Sequence, residues 1–215
     1  MSQRGESGLP CMTRIIADIS MSLDGFVTGP EPGPRNGLGT GGEALHTWAF
    51  STDPEDRRIL REATARSGAV VLGRRLFDVV DGPQGWSEET GYGAGEAGRP
   101  AFVVVTSAPP ESVRLTDLDW TFVTTGVPDA VAVARAHAEA ASSERGEDLD
   151  VVLMGGGAVI RAALDAGVVD TLSLHLAPVT LGAGTPLFTR GVPRTLVQRT
   201  VTSTSTATHL IYDVC

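Results

Sequence analysis

Residues 151–157 read VVLMGGG, and AVIRAALDAG (158–167) follows without a break. An apolar run that ends in three glycines and passes directly into a helical pattern is a β-to-α corner. Glycine weakens regular structure, so three in succession at such a corner require a cause. In an open α/β sheet, ligands gather at the carboxyl ends of the strands. Helix N-termini there offer unpaired N–H groups and a partial positive charge. Lacking Cβ atoms, Gly155, Gly156 and Gly157 let the backbone approach a phosphate closely, and the N–H groups of Gly156, Gly157 and Ala158 are placed to bind it. A tight turn packed on a neighbouring element is the other reading of the same residues. Two familiar phosphate motifs are excluded. The glycine after Gly157 is Gly167, so there is no GxGxxG, and no GK pair exists for a P-loop.

Two more corners have the same form. VVLGRRLFD (70–78) ends a strand at Gly73 and sets Arg74 and Arg75 at the start of a helix. In a chain of net charge -9 with no lysine, two planar guanidinium forks make a local anion site. A solvated basic pair on a helix end is the alternative. VVVTSAPP (103–110) ends a third strand with the hydroxyls of Thr106 and Ser107.

Around these corners the pattern predicts strands over 14–20, 69–73, 101–107, 121–125 and 150–154, and helices over 54–66, 74–80, 128–143 and 157–166. Asp53 and Pro54 supply the N-cap and first position of the 54–66 helix. Residues 169–182 read as a strand with a turn after it, and 194–214 as a hairpin. The segments 22–42 and 81–100 are rich in glycine and proline and read as loops. Strands without alternation, interleaved with helices, imply a mostly parallel sheet covered on both faces, with the hairpin as an antiparallel edge. No repeat or linker interrupts 13–215, which is read as one α/β domain behind a flexible tail at 1–12.

The chain of 215 residues, 41% hydrophobic and 20% charged, suffices for one sizeable core. Its acidity and lack of basic runs argue against nucleic-acid binding. No apolar stretch approaches the roughly 18–20 residues of a membrane span. The polar N-terminus has no signal-peptide centre, so a cytoplasmic protein is expected. Cys11 and Cys215 lie near opposite ends, and a disulfide between them is not expected in that compartment. His46, His137, His175 and His209 are scattered along the sequence and suggest no metal site.

The segments SLDGFVTG (22–29), LGRRLF (72–77), VVVTSAPP (103–110) and LMGGGAVI (153–160), in that order, resemble the dihydrofolate-reductase-like superfamily. GLGTGGEALHTW (37–48) and VDTLSLHLAPVTLGAGTPLF (169–188) place the resemblance in the RibD C-terminal-like family of riboflavin-biosynthesis reductases. It implies a dihydrofolate-reductase-like, three-layer αβα fold, with a mixed, mostly parallel sheet and a C-terminal antiparallel hairpin. It also implies NADPH lying extended along the carboxyl edge of the sheet. Gly73, Arg74 and Arg75 would then meet the 2′-phosphate, and Thr106 and Ser107 the adenosine ribose and its phosphate. Gly155, Gly156 and Gly157, with Ala158 and Val159, would lie at the pyrophosphate and nicotinamide, with Gly155–Gly156 the candidate for a cis peptide bond. Ser20 and Val27 would flank the nicotinamide.

There are departures from the pattern. Leu76 stands where dihydrofolate reductases carry a threonine. The acidic residue that binds a pterin in those enzymes has Asp53, Glu55 and Asp56 at a comparable interval. Asp56 is therefore a substrate candidate, although all three serve equally as carboxylates at a helix N-terminus. Asp24 is the catalytic candidate, with an Asp-Gly turn as its other role. His46 and Trp48 are further substrate candidates, and Trp86 is a similar one from the second loop. Arg35 and Arg99 are the loop candidates for a substrate phosphate.

The activity implied is hydride transfer from NADPH to a small heterocyclic or ribosylaminopyrimidine-type substrate, as in 5-amino-6-(5-phosphoribosylamino)uracil reduction in riboflavin biosynthesis. The alternatives are a dihydrofolate or pterin reductase and a non-catalytic nucleotide-binding protein. No general acid stands out, and no zinc-binding deaminase domain accompanies the reductase pattern. Relatives pair as homodimers, so the same is expected here.

Overall fold

The apolar runs without alternation become inner strands of an eight-stranded sheet. The computed structural model describes residues 12–87, 91–92, 99–189 and 192–215. Cys11, the tail up to it and part of the 81–100 loop lie outside the described residues. In chain order the elements are β1 (Ile15–Ser22), β2 (Phe26–Thr28), a 3-10 helix (Gly42–Phe50), α1 (Pro54–Ala65), β3 (Ser67–Gly73), α2 (Arg74–Val80), β4 (Ala101–Val105), β5 (Trp120–Val123), α3 (Val127–Arg145), β6 (Asp150–Gly155), α4 (Gly157–Asp165), β7 (Thr171–Ala177), β8 (Thr185–Pro186), β9 (Leu196–Ser203) and β10 (Thr208–Val214). The sheet order is β5-β4-β3-β6-β1-β7-β10-β9. All neighbours from β5 to β7 are parallel, and β10 runs antiparallel to both β7 and β9.

Local chemistry sets the helix ends. Asp53 Oδ1 accepts the Glu55 N–H at 2.9 Å, and Pro54 opens α1 with its φ already helical. At the end of α3, Gly146 takes the left-handed conformation that closes a helix without a Cβ clash. Cys215 is free and exposed. Among the described residues, no helix is long and apolar enough to cross a membrane.

Alternation within each strand sorts the core into two layers. Ile15, Ala17 and Ile19 of β1 face α3 and α4 together with Val71, Val151, Leu153 and Leu172. On the opposite face Val70, Leu72, Phe102 and Val104 pack under Phe77 and Val80 of α2. The rest of that second face, over β1, β7 and β10, lies under the 3-10 helix and α1. The three-layer arrangement is the one the sequence implies. The 22–42 segment is not all loop, however: β2 forms there because β8 supplies an antiparallel partner 150 or more residues on, beyond the reach of local patterning.

Gly68 marks where α3 presses closest on the sheet. A Cβ there would lie 2.8 Å from both Cα and Cβ of Ala138 and 2.9 Å from Leu149 Cβ, atoms that cannot swing aside. Gly68→Ala is expected to destabilise the protein by about 1–3 kcal/mol, read as a lower urea midpoint at unchanged m-value.

Candidate active site

Strands β4, β3 and β6 are adjacent and parallel, so their carboxyl ends lie side by side. Gly73 pairs with Val105, and Leu72 with Gly155. A Cβ on Gly73 would come within 2.8 Å of Val159 Cγ2 and 4.0 Å of Gly155 O and Gly156 N, so the Gly73 corner touches the triple-glycine corner. The Gly155–Gly156 peptide bond is cis, and Gly155 has φ 122°. Gly156 is the N-cap of α4, and a Cβ on it would meet nothing within 4 Å, which leaves open space above the corner. The N–H groups of Gly157 and Ala158 open the helix and have no intrahelical partner. Val159 donates to Gly156 O at 2.9 Å. Val27 of β2 closes the far side, its Cγ2 lying 3.0 Å from where a Gly157 Cβ would stand.

Arg74 ties the second strand end to the first. Its Nε donates to Asp78 Oδ1 at 2.7 Å, and its Nη1 donates to the Ala108 carbonyl at 2.9 Å and lies 3.5 Å from Thr106 Oγ1. Nη2 has no hydrogen-bond partner among the described residues. Arg75 is exposed, as is Ser107, whereas Thr106 is buried and donates to the Ala108 carbonyl at 2.7 Å. Leu76 packs under the glycine corner, its Cδ2 3.8 Å from a Gly155 Cβ position, so an apolar contact replaces the threonine hydroxyl. Residues 73–75, 106–107 and 155–159 therefore surround one open cradle with bare backbone, free N–H groups and guanidinium donors. Backbone N–H groups and guanidinium forks of this kind are groups that bind anions.

The structure revises the other candidates. Asp24 accepts from the Ser22 hydroxyl at 2.6 Å and from the Leu181 and Gly182 N–H groups at 3.1 and 2.6 Å. These bonds, the Ser22 one foremost, hold its carboxyl below the usual value. Asp24 is exposed and braces two turns against each other. Asp56 is fully buried and accepts from Thr206 and His209, so it does not reach a substrate. Trp48 is 5% exposed, donates to Ser20 Oγ at 2.9 Å and stacks on His175 with ring centroids 4.0 Å apart. It is a plug under the 3-10 helix rather than a pocket wall, and it occupies the Ser20 hydroxyl. His46 is half-buried, and its Nδ1 has no hydrogen-bond partner. Trp86 packs edge-on against Phe102, and Arg99 Nη1 donates to the Asp117 carbonyl.

What the sequence left unseen is that three of the four histidines converge. Ser20, His175 and His209 lie in one row across β1, β7 and β10. Asp18 sits beside His175 and Asp56 beside His209. The available signal was the parity of each histidine within an apolar alternation, SLHLA (173–177) and THLIY (208–212).

The RibD C-terminal domain family model matches residues 13–211 of this chain. A Shewanella sp. PV-4 protein described as a riboflavin biosynthesis protein superposes with TM-score 0.62 at 19% identity, over 94% of this chain and 99% of its own. The Thermotoga maritima diaminohydroxyphosphoribosylaminopyrimidine deaminase/5-amino-6-(5-phosphoribosylamino)uracil reductase superposes with TM-score 0.57 at 15% identity, over 95% of this chain and 57% of that longer one. Dihydrofolate reductase from Enterococcus faecalis, complexed with NADP(H), gives TM-score 0.50 at 17% identity, over 94% and 96%. At these identities the likeness fixes the fold, which is dihydrofolate-reductase-like. Among curated proteins none matches the sequence.

Proposed function

The chain belongs to the RibD C-terminal domain family, and on that premise we propose that it is an NADPH-dependent reductase of a small heterocyclic or ribosylaminopyrimidine-type compound. The observation that carries this reading is the convergence of three β-to-α corners into one anion cradle at the positions where the family resemblance expects a dinucleotide. A bound NADPH would supply a hydride equivalent. The chain's own part is to hold and orient it. Arg74 and Arg75 would offer charge to a 2′-phosphate, the Gly157 and Ala158 N–H groups would hold the pyrophosphate, and Val27 would keep the inner end apolar. Two copies pairing through β9, an edge strand with Val197 and Val201 exposed, and a cytoplasmic setting belong to the same reading.

Titration of purified protein with NADPH is expected to raise Tm well above the rise that NADH gives at equal concentration. NADPH oxidation, followed by absorbance, is expected with 5-amino-6-(5-phosphoribosylamino)uracil. Oxidation with dihydrofolate alone would move the assignment to a pterin reductase. No shift with either dinucleotide would end the enzyme reading.

A further inference from the structure

The second face of the sheet holds a buried chain that the cofactor cradle does not use. His175 Nε2 stands 3.2 Å from Asp18 Oδ1, the Nδ1 atoms of His175 and His209 stand 2.7 Å apart, and His209 Nε2 stands 3.0 Å from Asp56 Oδ1. The charged or titratable groups facing the two rings are Asp18 on β1, Asp56 and Glu55 on α1, and His46 on the 3-10 helix, with Tyr92 beyond Asp18.

Proton counting fixes what the chain carries. Burial works to raise the Asp18 carboxyl, but the charge and hydrogen bond of His175 hold it below its ordinary value. Burial likewise opposes ionisation of Asp56, and hydrogen bonds from Thr206, Ser51 and His209 outweigh it. Two ionised carboxylates each accept from the Nε2–H of the neighbouring ring, which leaves the two Nδ1 atoms facing one another. With no proton there, two lone pairs would oppose; with two, two N–H bonds would collide. A single proton therefore lies between the rings, and the pair carries one positive charge between two carboxylates. A second charge is resisted, since burial holds His209 below the ordinary histidine value and the charge on His175 adds to it. His46 stays neutral beside them, lowered to about 4 by burial first and by His175 second.

One member of the chain reaches solvent. The side chains of His175, His209 and Asp56 are 2%, 4% and 0% exposed, whereas that of Asp18 is 24% exposed. Asp18 shares its face of β1 with Ser20, two residues and about 7 Å further toward the carboxyl edge. Asp18 and Met154 on neighbouring β6 are both part-exposed, between the coverings of α2 and the 3-10 helix.

We propose that Asp18, His175, His209 and Asp56 form the proton relay of this reductase, the histidine pair storing the proton and Asp18 passing it to the substrate. The proposal rests on the reductase reading above. As an acceptor C=N carbon takes a hydride from the reduced nicotinamide, the π electrons move to its nitrogen. The His175 Nε2–H bond breaks, the proton crosses the Asp18 carboxylate, and an N–H bond forms on the substrate. The inter-ring proton settles on His175 Nδ1, leaving two neutral rings. The dinucleotide loses two electrons and the substrate gains them. Solvent then returns one proton to the emptied His175 Nε2 by way of Asp18, the part-exposed member of the row, and the shared proton is restored between the rings.

Ligand-free protein labelled with 15N-histidine tests the store. One far-downfield proton shared by Nδ1 of His175 and His209 is expected, retained in Asp18→Asn and lost in His209→Gln. NADPH oxidation with 5-amino-6-(5-phosphoribosylamino)uracil and with dihydrofolate as acceptors tests the delivery. Asp18→Asn, which keeps the shape but cannot pass a proton, is expected to lower kcat about 10²–10³-fold at unchanged KM for NADPH. It should also abolish the wild-type fall in kcat that removal of the inter-ring proton by base produces. An Asp18→Asn kcat within about twofold of wild type, or ligand-free protein without a shared proton, overturns the relay and leaves the reductase reading standing. Wild-type protein that oxidises NADPH with neither acceptor overturns the reductase reading instead, and the catalytic use of the relay falls with it, even where the shared proton is seen.

Discussion

Arg74→Ala is expected to weaken NADPH binding about 10–100-fold and to leave NADH binding within about twofold, because charge-assisted hydrogen bonds to phosphate contribute about 1.5–3 kcal/mol. The geometry explains why Arg74 is the sharper of the two arginines. Asp78 holds its Nε and the Ala108 carbonyl holds its Nη1, so the fork is oriented before a ligand arrives, and Nη2 has no partner among the described residues. Arg75, exposed and without an ion pair among the described residues, has to be ordered on binding. The Arg74–Asp78 pair is itself part-exposed on both sides, so its loss costs the fold less than about 1 kcal/mol. A drop in affinity of the expected size therefore reports the phosphate contact rather than unfolding. Isothermal titration with both dinucleotides measures it, and equal losses for NADPH and NADH would remove the 2′-phosphate from the argument.

Asp56→Ala is expected to destabilise the protein by about 3 kcal/mol or more, since it strands a buried ring nitrogen of His209 and the Thr206 hydroxyl. For a chain of this size that lowers Tm by about 6–12 °C. The pH dependence has a definite sign. The Asp56 carboxyl lies below its ordinary 3.8 in the folded state, so its contribution is complete above that value. It disappears as pH falls through the folded-state value, and the gap between wild type and variant should narrow in strong acid. Thermal melts from neutral to acid pH measure it. A variant as stable as wild type at neutral pH would show that Asp56 is not the anchor of the histidine row.

Much of the fold was legible in the residues. VVLMGG, AVVLG and AFVVV are continuous apolar runs because β6, β3 and β4 are covered on both faces, and burial of this kind is written into composition. Asp53 and Pro54 act on their own helix end, so the start of α1 was also readable. The three corners at these strand ends were legible as corners for a related reason. A glycine at a strand end or an arginine pair at a helix start has a meaning set mostly by the backbone next to it.

The roles of the carboxylates were not legible in the same way. An Asp-Gly pair marks a turn, but only β7 and the bend after it decide that Asp24 receives the Leu181 and Gly182 N–H groups. Asp56 has the same sequence context as Glu55, yet one is buried and the other only half-buried, because β10 lies under one side of α1 and not the other.

The sequence by itself determined the succession of the main sheet's strands and of the four α-helices, the parallel character of the sheet and the glycine and arginine corners at its strand ends, since propensity, capping and burial act within a few residues. Only the tertiary structure decided that Asp18, His175, His209 and Asp56 form a row. Each side chain's face follows from the two-residue period of its own strand, but which strands become neighbours depends on crossovers. The hydrophobic effect that drives those crossovers is non-directional and carries no record of which polar groups it brings together.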